Sequence, residues 1–154
     1  MPLNPQLVLG PFEKWGIDFF GPFDPPSFGK EYLLVCTDYV TKWAEVQALA
    51  STNEDVIADF LYNQILLRFG APRAIISDQG PQFVSNMIEA FLGIYRIRHQ
   101  KSSPYHPQSN GQVEVTNREL ENILTKVVNA DRKNWVPKLP EAVWAYNTTW
   151  KTTT

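Results

Sequence analysis

The chain has 154 residues, of which 44% are hydrophobic and 19% charged, and its formal net charge is −2. These values suit one globular domain with a single core and exclude a disordered chain. The slight acidic excess argues against a free-standing nucleic-acid binder, since phosphate contacts draw on Lys and Arg, but it leaves room for a domain that gains positive charge from bound metal or from basic partners elsewhere.

One cysteine, Cys36, rules out an intrachain disulfide. With only His99 and His106 beside it, a structural zinc site is not expected. The N-terminus lacks the basic-then-apolar pattern of an export signal, so secretion is not expected. No apolar run approaches the roughly 20 residues of a membrane span, and no membrane contact is expected. The Asn147-Thr148-Thr149 sequon is therefore read as chance.

In chain order, residues 1–11 hold three prolines and a glycine and read as a linker or lead-in to a domain spanning 12–154. Lys14 to Phe20 is apolar and aromatic and stops at Gly21-Pro22, as a buried strand does. After a Pro- and Gly-rich loop, Tyr32 to Thr37 is a second strand and Lys42 to Leu49 a third. The short connections predict an antiparallel meander.

Ser51-Thr52-Asn53-Glu54 matches a capping box, with Ser51 as the cap and Glu54 returning the bond. Val56, Ile57, Phe60, Leu61, Ile65, Leu66 and Phe69 then form one apolar stripe at helical spacing, closed by Gly70 and Pro72. Ala74 to Ser77 is a short buried strand with Asp78 at its C-terminal end. A helix crossing between strands predicts parallel pairing here, which makes the sheet mixed. Ser85 to Tyr95 reads as a helix with Met87, Ile88, Phe91, Leu92 and Tyr95 inward, and Ile97 to Lys101 as a last strand. Ser102 to Asn110, rich in Pro and small polar residues, reads as a loop. A long helix is expected from about Gln112, with Glu114 in its first turn, and a final helical segment carries Ala142, Val143, Trp144 and Tyr146. The chain is expected to be cut short at its C-terminus.

Three acids stand out. Asp18 lies near the end of the first strand, just before Gly21-Pro22. Asp78 ends a later strand, before Gln79-Gly80. Glu114 follows Asp78 with 35 residues between them. If the two strands are neighbours, Asp18 and Asp78 share one rim of the sheet, and Glu114 reaches over it from a helix. Three hard oxygen donors without cysteine or paired histidine favour Mg²⁺ or Mn²⁺ over zinc. Two such ions about 3.5–4 Å apart serve phosphodiester chemistry by activating the attacking oxygen and stabilising the leaving one. Singly, each acid also has an ordinary reading: Asp before Gly is a common turn residue, and Glu near a helix start complements the helix dipole.

The chain resembles the catalytic core of retroviral and retrotransposon integrases, the DDE family, and among them gypsy-type LTR retrotransposons. The marks are Trp15-Gly16-Ile17-Asp18, Thr37-Asp38-Tyr39-Val40-Thr41-Lys42-Trp43, Arg68-Phe69-Gly70, Ser77-Asp78-Gln79-Gly80-Pro81-Gln82-Phe83 and Tyr105-His106-Pro107-Gln108-Ser109-Asn110-Gly111-Gln112-Val113-Glu114. The resemblance implies an α/β, ribonuclease-H-like fold: a five-stranded mixed sheet, three antiparallel strands then two parallel, flanked by helices. It implies 3′-end processing of element DNA and strand transfer into target DNA, with Asp18, Asp78 and Glu114 holding two Mg²⁺ or Mn²⁺ ions. Tyr105 and Asn110 match loop positions that approach the element's DNA end in relatives, and Asn117 and Arg118 match helix positions on the face of the active site, so all four are implied as DNA-binding. Implied partners are the element DNA ends, target DNA, further copies of the chain as a dimer or higher oligomer, and zinc-binding and C-terminal domains of the same polyprotein. Implied locations are a cytoplasmic particle and then the nucleus.

Glu121 departs from the pattern, because relatives often carry a basic residue there and an acid repels DNA. Arg96, Arg98, His99 and Lys101 form a basic cluster that suits either DNA contact or a solvated edge strand. His106 reads as a loop hydrogen-bonding residue, and Trp135, Trp144 and Trp150 as core or subunit-interface packing. The alternatives are a DDE transposase of another element type, or a non-catalytic relic that only binds DNA or protein.

Overall fold

The computed structural model describes residues 8–102 and 107–149, and over 107–117 the backbone alone. Five strands form one sheet: β1 Lys14–Phe20, β2 Tyr32–Asp38, β3 Ala44–Leu49, β4 Ala74–Ser77 and β5 Arg98–Lys101, in the order β3-β2-β1-β4-β5. β1, β2 and β3 are antiparallel, while β4 runs parallel to both β1 and β5. This is the mixed five-stranded sheet of a ribonuclease-H-like fold.

Alternation along β1 divides the core in two. Trp15 and Ile17 face one side with Leu34, Cys36 and Ile75. Phe20 faces the other with Leu33 and Val35. The first face is covered by a helical run made of α1 Glu54–Phe60, a π-helical stretch Leu61–Leu66 and a last turn α2 Leu67–Phe69, together with α3 Asn86–Ile94. Ile57, Phe60, Leu61, Ile65 and Leu66 of the predicted stripe are buried, and each such side chain contributes about 1.5–3 kcal/mol. The second face is covered by α4 Pro107–Asp131 and α5 Leu139–Thr148, through Leu120, Leu124, Val128, Leu139 and Tyr146. Trp135, fully buried, joins these helices to the Pro25 carbonyl through its indole N–H at 3.2 Å.

Several boundaries differ from expectation. The cap of α1 is Asn53, whose side chain accepts from the Val56 N–H at 3.3 Å, and Ser51 instead accepts from the Asn53 amide. Asn and Ser are equally good caps, so the motif had two solutions and packing selects the later one. β3 starts at Ala44 because Lys42, at φ +65°, belongs to a turn whose N–H donates to the Asp38 carbonyl. Met87 and Tyr95, expected inward, are 42% and 37% exposed, whereas Ile88 and Leu92 carry the contact. Residues 107–110, expected as loop, open α4. Proline at the first helical position has no N–H to lose, and its fixed φ suits the helix. Glu114 therefore stands about two turns into α4, not in its first turn.

β3 is an edge strand, and the peptide groups of buried Ala44 are paired by Asn147. The side-chain oxygen accepts from the Ala44 N–H at 2.8 Å, and its amide donates to the Ala44 carbonyl at 2.9 Å. The sequon asparagine is thus used inside the fold. No helix among the described residues is long and apolar enough to cross a membrane.

Candidate active site

β1 and β4 are neighbours, with Lys14 opposite Ala74, Trp15 opposite Ile75 and Gly16 opposite Ile76. Carried on by two residues, this register sets Asp18 level with Asp78. In a parallel pair, residues at one level project to one face. That face is the one covered by α4, since Trp15 and Ile17 take the other. The conditional expectation from the sequence, a shared rim if the strands adjoin, is met for these two acids.

Each carboxylate is tethered by a backbone N–H. Asp18 Oδ1 accepts from Phe19 at 2.8 Å, and Asp78 Oδ1 accepts from Gly80 at 2.8 Å. The second oxygen of each has no bond among the described residues. Behind the rim, Phe19 and Phe83 pack with ring centroids 5.2 Å apart, so the residue after Asp18 and the loop after Asp78 are fastened to one core. Gly80 lets the loop approach closely: a Cβ there would stand 3.0 Å from Asp78 Oδ1.

Burial, partly offset by the Phe19 N–H bond and reinforced by the charges of Asp78 and Glu121, pushes the Asp18 carboxyl up from 3.8 to about 6. The site is short of positive charge as it stands. A divalent cation would supply it, and an all-oxygen donor set suits Mg²⁺ or Mn²⁺. The residues therefore fit the ion that the sequence implied. Among the described residues no three His, Cys, Asp or Glu side chains gather closely enough to hold a metal. The third acid, Glu114, lies on α4 where only the backbone is described.

Tyr105 and His106 lie outside the described residues, as does Trp150. Asn110 and Asn117 lie on α4 within the backbone-only stretch, and Arg118 is exposed on the same helix. Glu121, exposed and two turns beyond Glu114, reaches Asp18 electrostatically. Its spacing of seven from Glu114, nearly a whole number of turns, was the available signal.

Three members of the basic cluster, Arg98, His99 and Lys101, fall on β5, an edge strand, while Arg96 precedes it at φ +57°. There Arg98 is exposed, while His99 Nδ1 and Lys101 Nζ both contact Glu89, at 2.6 and 3.3 Å. Trp144 is 68% exposed on α5.

Asp38, a further acid in a quoted motif, is fully buried and wholly occupied in a turn. It accepts from the N–H groups of Phe12 and Thr41 and from the Thr41 hydroxyl at 2.8–2.9 Å. It pairs with Trp15, three residues along β1 from Asp18, or about 10 Å at the usual strand rise.

The arrangement has known counterparts. Residues 9–107 match the family described as Integrase core domain. The chain is 34% identical to the Gag-Pol polyprotein of feline leukemia virus over 140 residues, which cover 90% of this chain and 8% of that protein. It is 35% identical to the Pro-Pol polyprotein of simian foamy virus type 3 over 147 residues, covering 94% and 12%. The chain thus spans only a small fraction of these polyproteins. Among solved structures, the catalytic core domain of BIV integrase shares the fold at a TM-score of 0.72 and 22% identity, over 92% of this chain and 87% of that one. A chain of the simian T-cell lymphotropic virus intasome, solved in complex with PP2A regulatory subunit B56 gamma, does so at 0.75 and 23%, over 93% and 51%. With the matched family spanning well over half its residues and the two acids level on adjacent strands, the chain belongs to the integrase core domain family, of the retroviral type.

Proposed function

We propose that this domain catalyses polynucleotidyl transfer: 3′-end processing of an element's DNA, then strand transfer of the freed 3′-hydroxyl into target DNA. The observation that carries the reading is the level placement of Asp18 and Asp78 on one face of adjacent parallel strands, beneath the helix that carries Glu114. Asp18, Asp78 and Glu114 would hold Mg²⁺ or Mn²⁺, which when bound activates an attacking oxygen and stabilises a leaving one. Asp18 contributes a half-buried carboxylate held by the Phe19 N–H, and Asp78 an exposed one held by the Gly80 N–H, which leaves the second oxygen of each to a cation. Glu114, on the helix that covers this face, completes the set. Arg118 supplies a charged, forked donor suited to a phosphate on the same helix.

The element is proposed to be a gypsy-type LTR retrotransposon, on the Ser109-to-Glu114 run and the Trp43 motif. The partners are element DNA ends, target DNA and further copies of the chain, acting in the nucleus. Tyr105, Asn110 and Asn117 are the other DNA-contacting residues proposed. Trp144, exposed on α5 and lining a largely apolar groove with Val46, Leu139 and Val143, supports a subunit contact.

The test is strand transfer by the full-length protein with Mn²⁺ on element-end DNA, comparing native protein with Asp78→Asn. Joined product from the native protein and none from the variant supports the reading. Equal inactivity of both, with DNA still bound, overturns it in favour of a binding module.

A further inference from the structure

Directly behind Asp78 lies a row of side chains with no part in the chemistry above. Ser77 Oγ is 2.7 Å from His99 Nε2, and His99 Nδ1 is 2.6 Å from Glu89 Oε1. A hydroxyl, an imidazole and a carboxylate in line resemble the nucleophile, base and orienter of a hydrolase. Here that use is closed off. Ser77 is 2% exposed, and its hydroxyl donates to the main-chain oxygen of Asp78 at 2.8 Å. The row points at the backbone of Asp78 and not at solvent.

Its other contacts serve the same end. The Glu89 carboxylate also takes Lys101 Nζ at 3.3 Å. The Ser77 carbonyl accepts from the Ser102 N–H at 2.8 Å and from the Ser102 hydroxyl at 3.2 Å. With the Ser77 proton on the Asp78 carbonyl, Oγ can only accept from Nε2–H, and if Nδ1–H also donates to the Glu89 carboxylate, His99 carries both ring protons in this arrangement. Residues of α3, β4 and β5 thereby converge on one peptide. That peptide is where support is needed, because Asp78 stands one residue beyond the end of β4 and is exposed.

We propose that His99 is a positioning residue: gripped by Glu89, it sets the Ser77 hydroxyl, and through it the main chain that carries the Asp78 carboxylate. The functional consequence rests on Asp78 being a metal ligand; the positioning itself does not. Misplacement of a ligating group by about 1 Å is enough to cost on the order of a hundredfold in rate, so a brace of this kind matters.

The test uses this chain and two readouts. The first is NMR amide exchange at Gly80, whose N–H donates to Asp78 Oδ1 and reports how firmly that carboxylate is held. The second is Mn²⁺ affinity from the EPR signal of free ion, with Asp78→Asn as the blank. His99→Gln keeps a donor near the position of Nε2, whereas His99→Asn keeps one only near Nδ1. Ser77→Ala and His99→Asn are expected to speed Gly80 exchange and weaken Mn²⁺ binding, each about tenfold, the range seen when residues supporting a ligand are lost. His99→Gln is expected to stay close to native. Ser77→Ala/His99→Asn is expected to be no worse than Ser77→Ala, since both act along one path. Glu89→Ala, at a half-exposed position that does not risk the core, is expected to move both readouts in the same direction and carries the test if Ser77→Ala fails to fold.

The proposal is overturned if His99→Asn matches native in both readouts, if His99→Gln is as impaired as His99→Asn, or if the double variant is additive. If Gly80 exchange follows the expected order but native protein binds no more Mn²⁺ than Asp78→Asn, the positioning stands and the metal-ligand reading falls.

Discussion

Asp18 on β1 and Asp78, one residue past the end of β4, are brought near one another although sixty positions separate them in the chain, because Gly16 pairs in parallel with Ile76 two residues before each. Burial raises the Asp18 carboxyl from 3.8 to about 6, and the like charge of Asp78 that the pairing holds nearby adds to the rise.

That shift has a definite sign in stability. Below pH 3.8 the group is protonated in folded and unfolded chains alike and costs nothing. Between 3.8 and about 6 the folded state keeps a proton that the unfolded state gives up, so stability falls as pH rises. Above about 6 the penalty is constant, at most about 3 kcal/mol for a shift of this size. Without metal, urea midpoints should therefore fall from pH 4 to pH 7, and Asp18→Asn should remove the fall. Mg²⁺ or Mn²⁺ at a hundred times its dissociation constant should restore about 2.7 kcal/mol at pH 7 in the native chain and none in Asp18→Asn. A native stability flat across this range would refute the electrostatic account.

Gly80→Ala isolates the geometry of Asp78 from its identity. The new Cβ would meet Asp78 Oδ1 at 3.0 Å, and the carboxylate, as the end of a flexible side chain, would turn aside. No left-handed backbone is demanded of Gly80, so the substitution should leave stability unchanged or raise it by about 0.4–1 kcal/mol through the unfolded chain. Mn²⁺ affinity should nonetheless fall, by roughly tenfold. Thermal unfolding and Mn²⁺ titration on the same sample check both halves, and an unchanged affinity would show that the Gly80 tether is incidental.

The strands β1, β2 and β4 were readable because each is a short apolar run bounded by Gly, Pro or charge, and Lys14–Phe20 needed no adjustment. The level of Asp18 with Asp78 was not readable. Parallel register is set by how α1 to α2 pack across the sheet, which no local spacing encodes. The start of α4 was misjudged for a different reason: Pro107, Ser109, Asn110 and Gly111 have turn-forming composition, yet Pro is at home in a first helical turn and one interior Gly costs only about 1 kcal/mol. The His99 row left no trace at all, since Ser77, Glu89 and His99 sit on three elements with unrelated spacings.

Asp38 is the acid in a quoted motif that belongs to the fold. Removing its carboxylate strands the N–H of half-buried Phe12 and leaves that of exposed Thr41 to water. Asp38→Ala should cost about 1–3 kcal/mol, the scale of one sheltered donor left without its partner. Because Asp38 lies opposite Trp15, well down β1 from Asp18, the variant that remains folded should bind Mn²⁺ like native protein. Chemical denaturation beside a metal titration separates these outcomes.

Glu121 couples the sheet rim that carries Asp18 to α4. Its charge contributes to the raised Asp18 carboxyl, and it stands exposed two turns past Glu114. Glu121→Gln should lower the Asp18 carboxyl from about 6, read by carbon NMR of the side-chain carboxyl through a pH titration. It should also tighten DNA binding by the full-length protein roughly two- to fivefold at low salt, the scale of one exposed charge, and the gain should vanish as salt screens it. The two effects share one cause, so they must appear together. A tighter DNA complex with an unmoved Asp18 titration would mean that Glu121 faces nucleic acid but not the acids of the sheet rim.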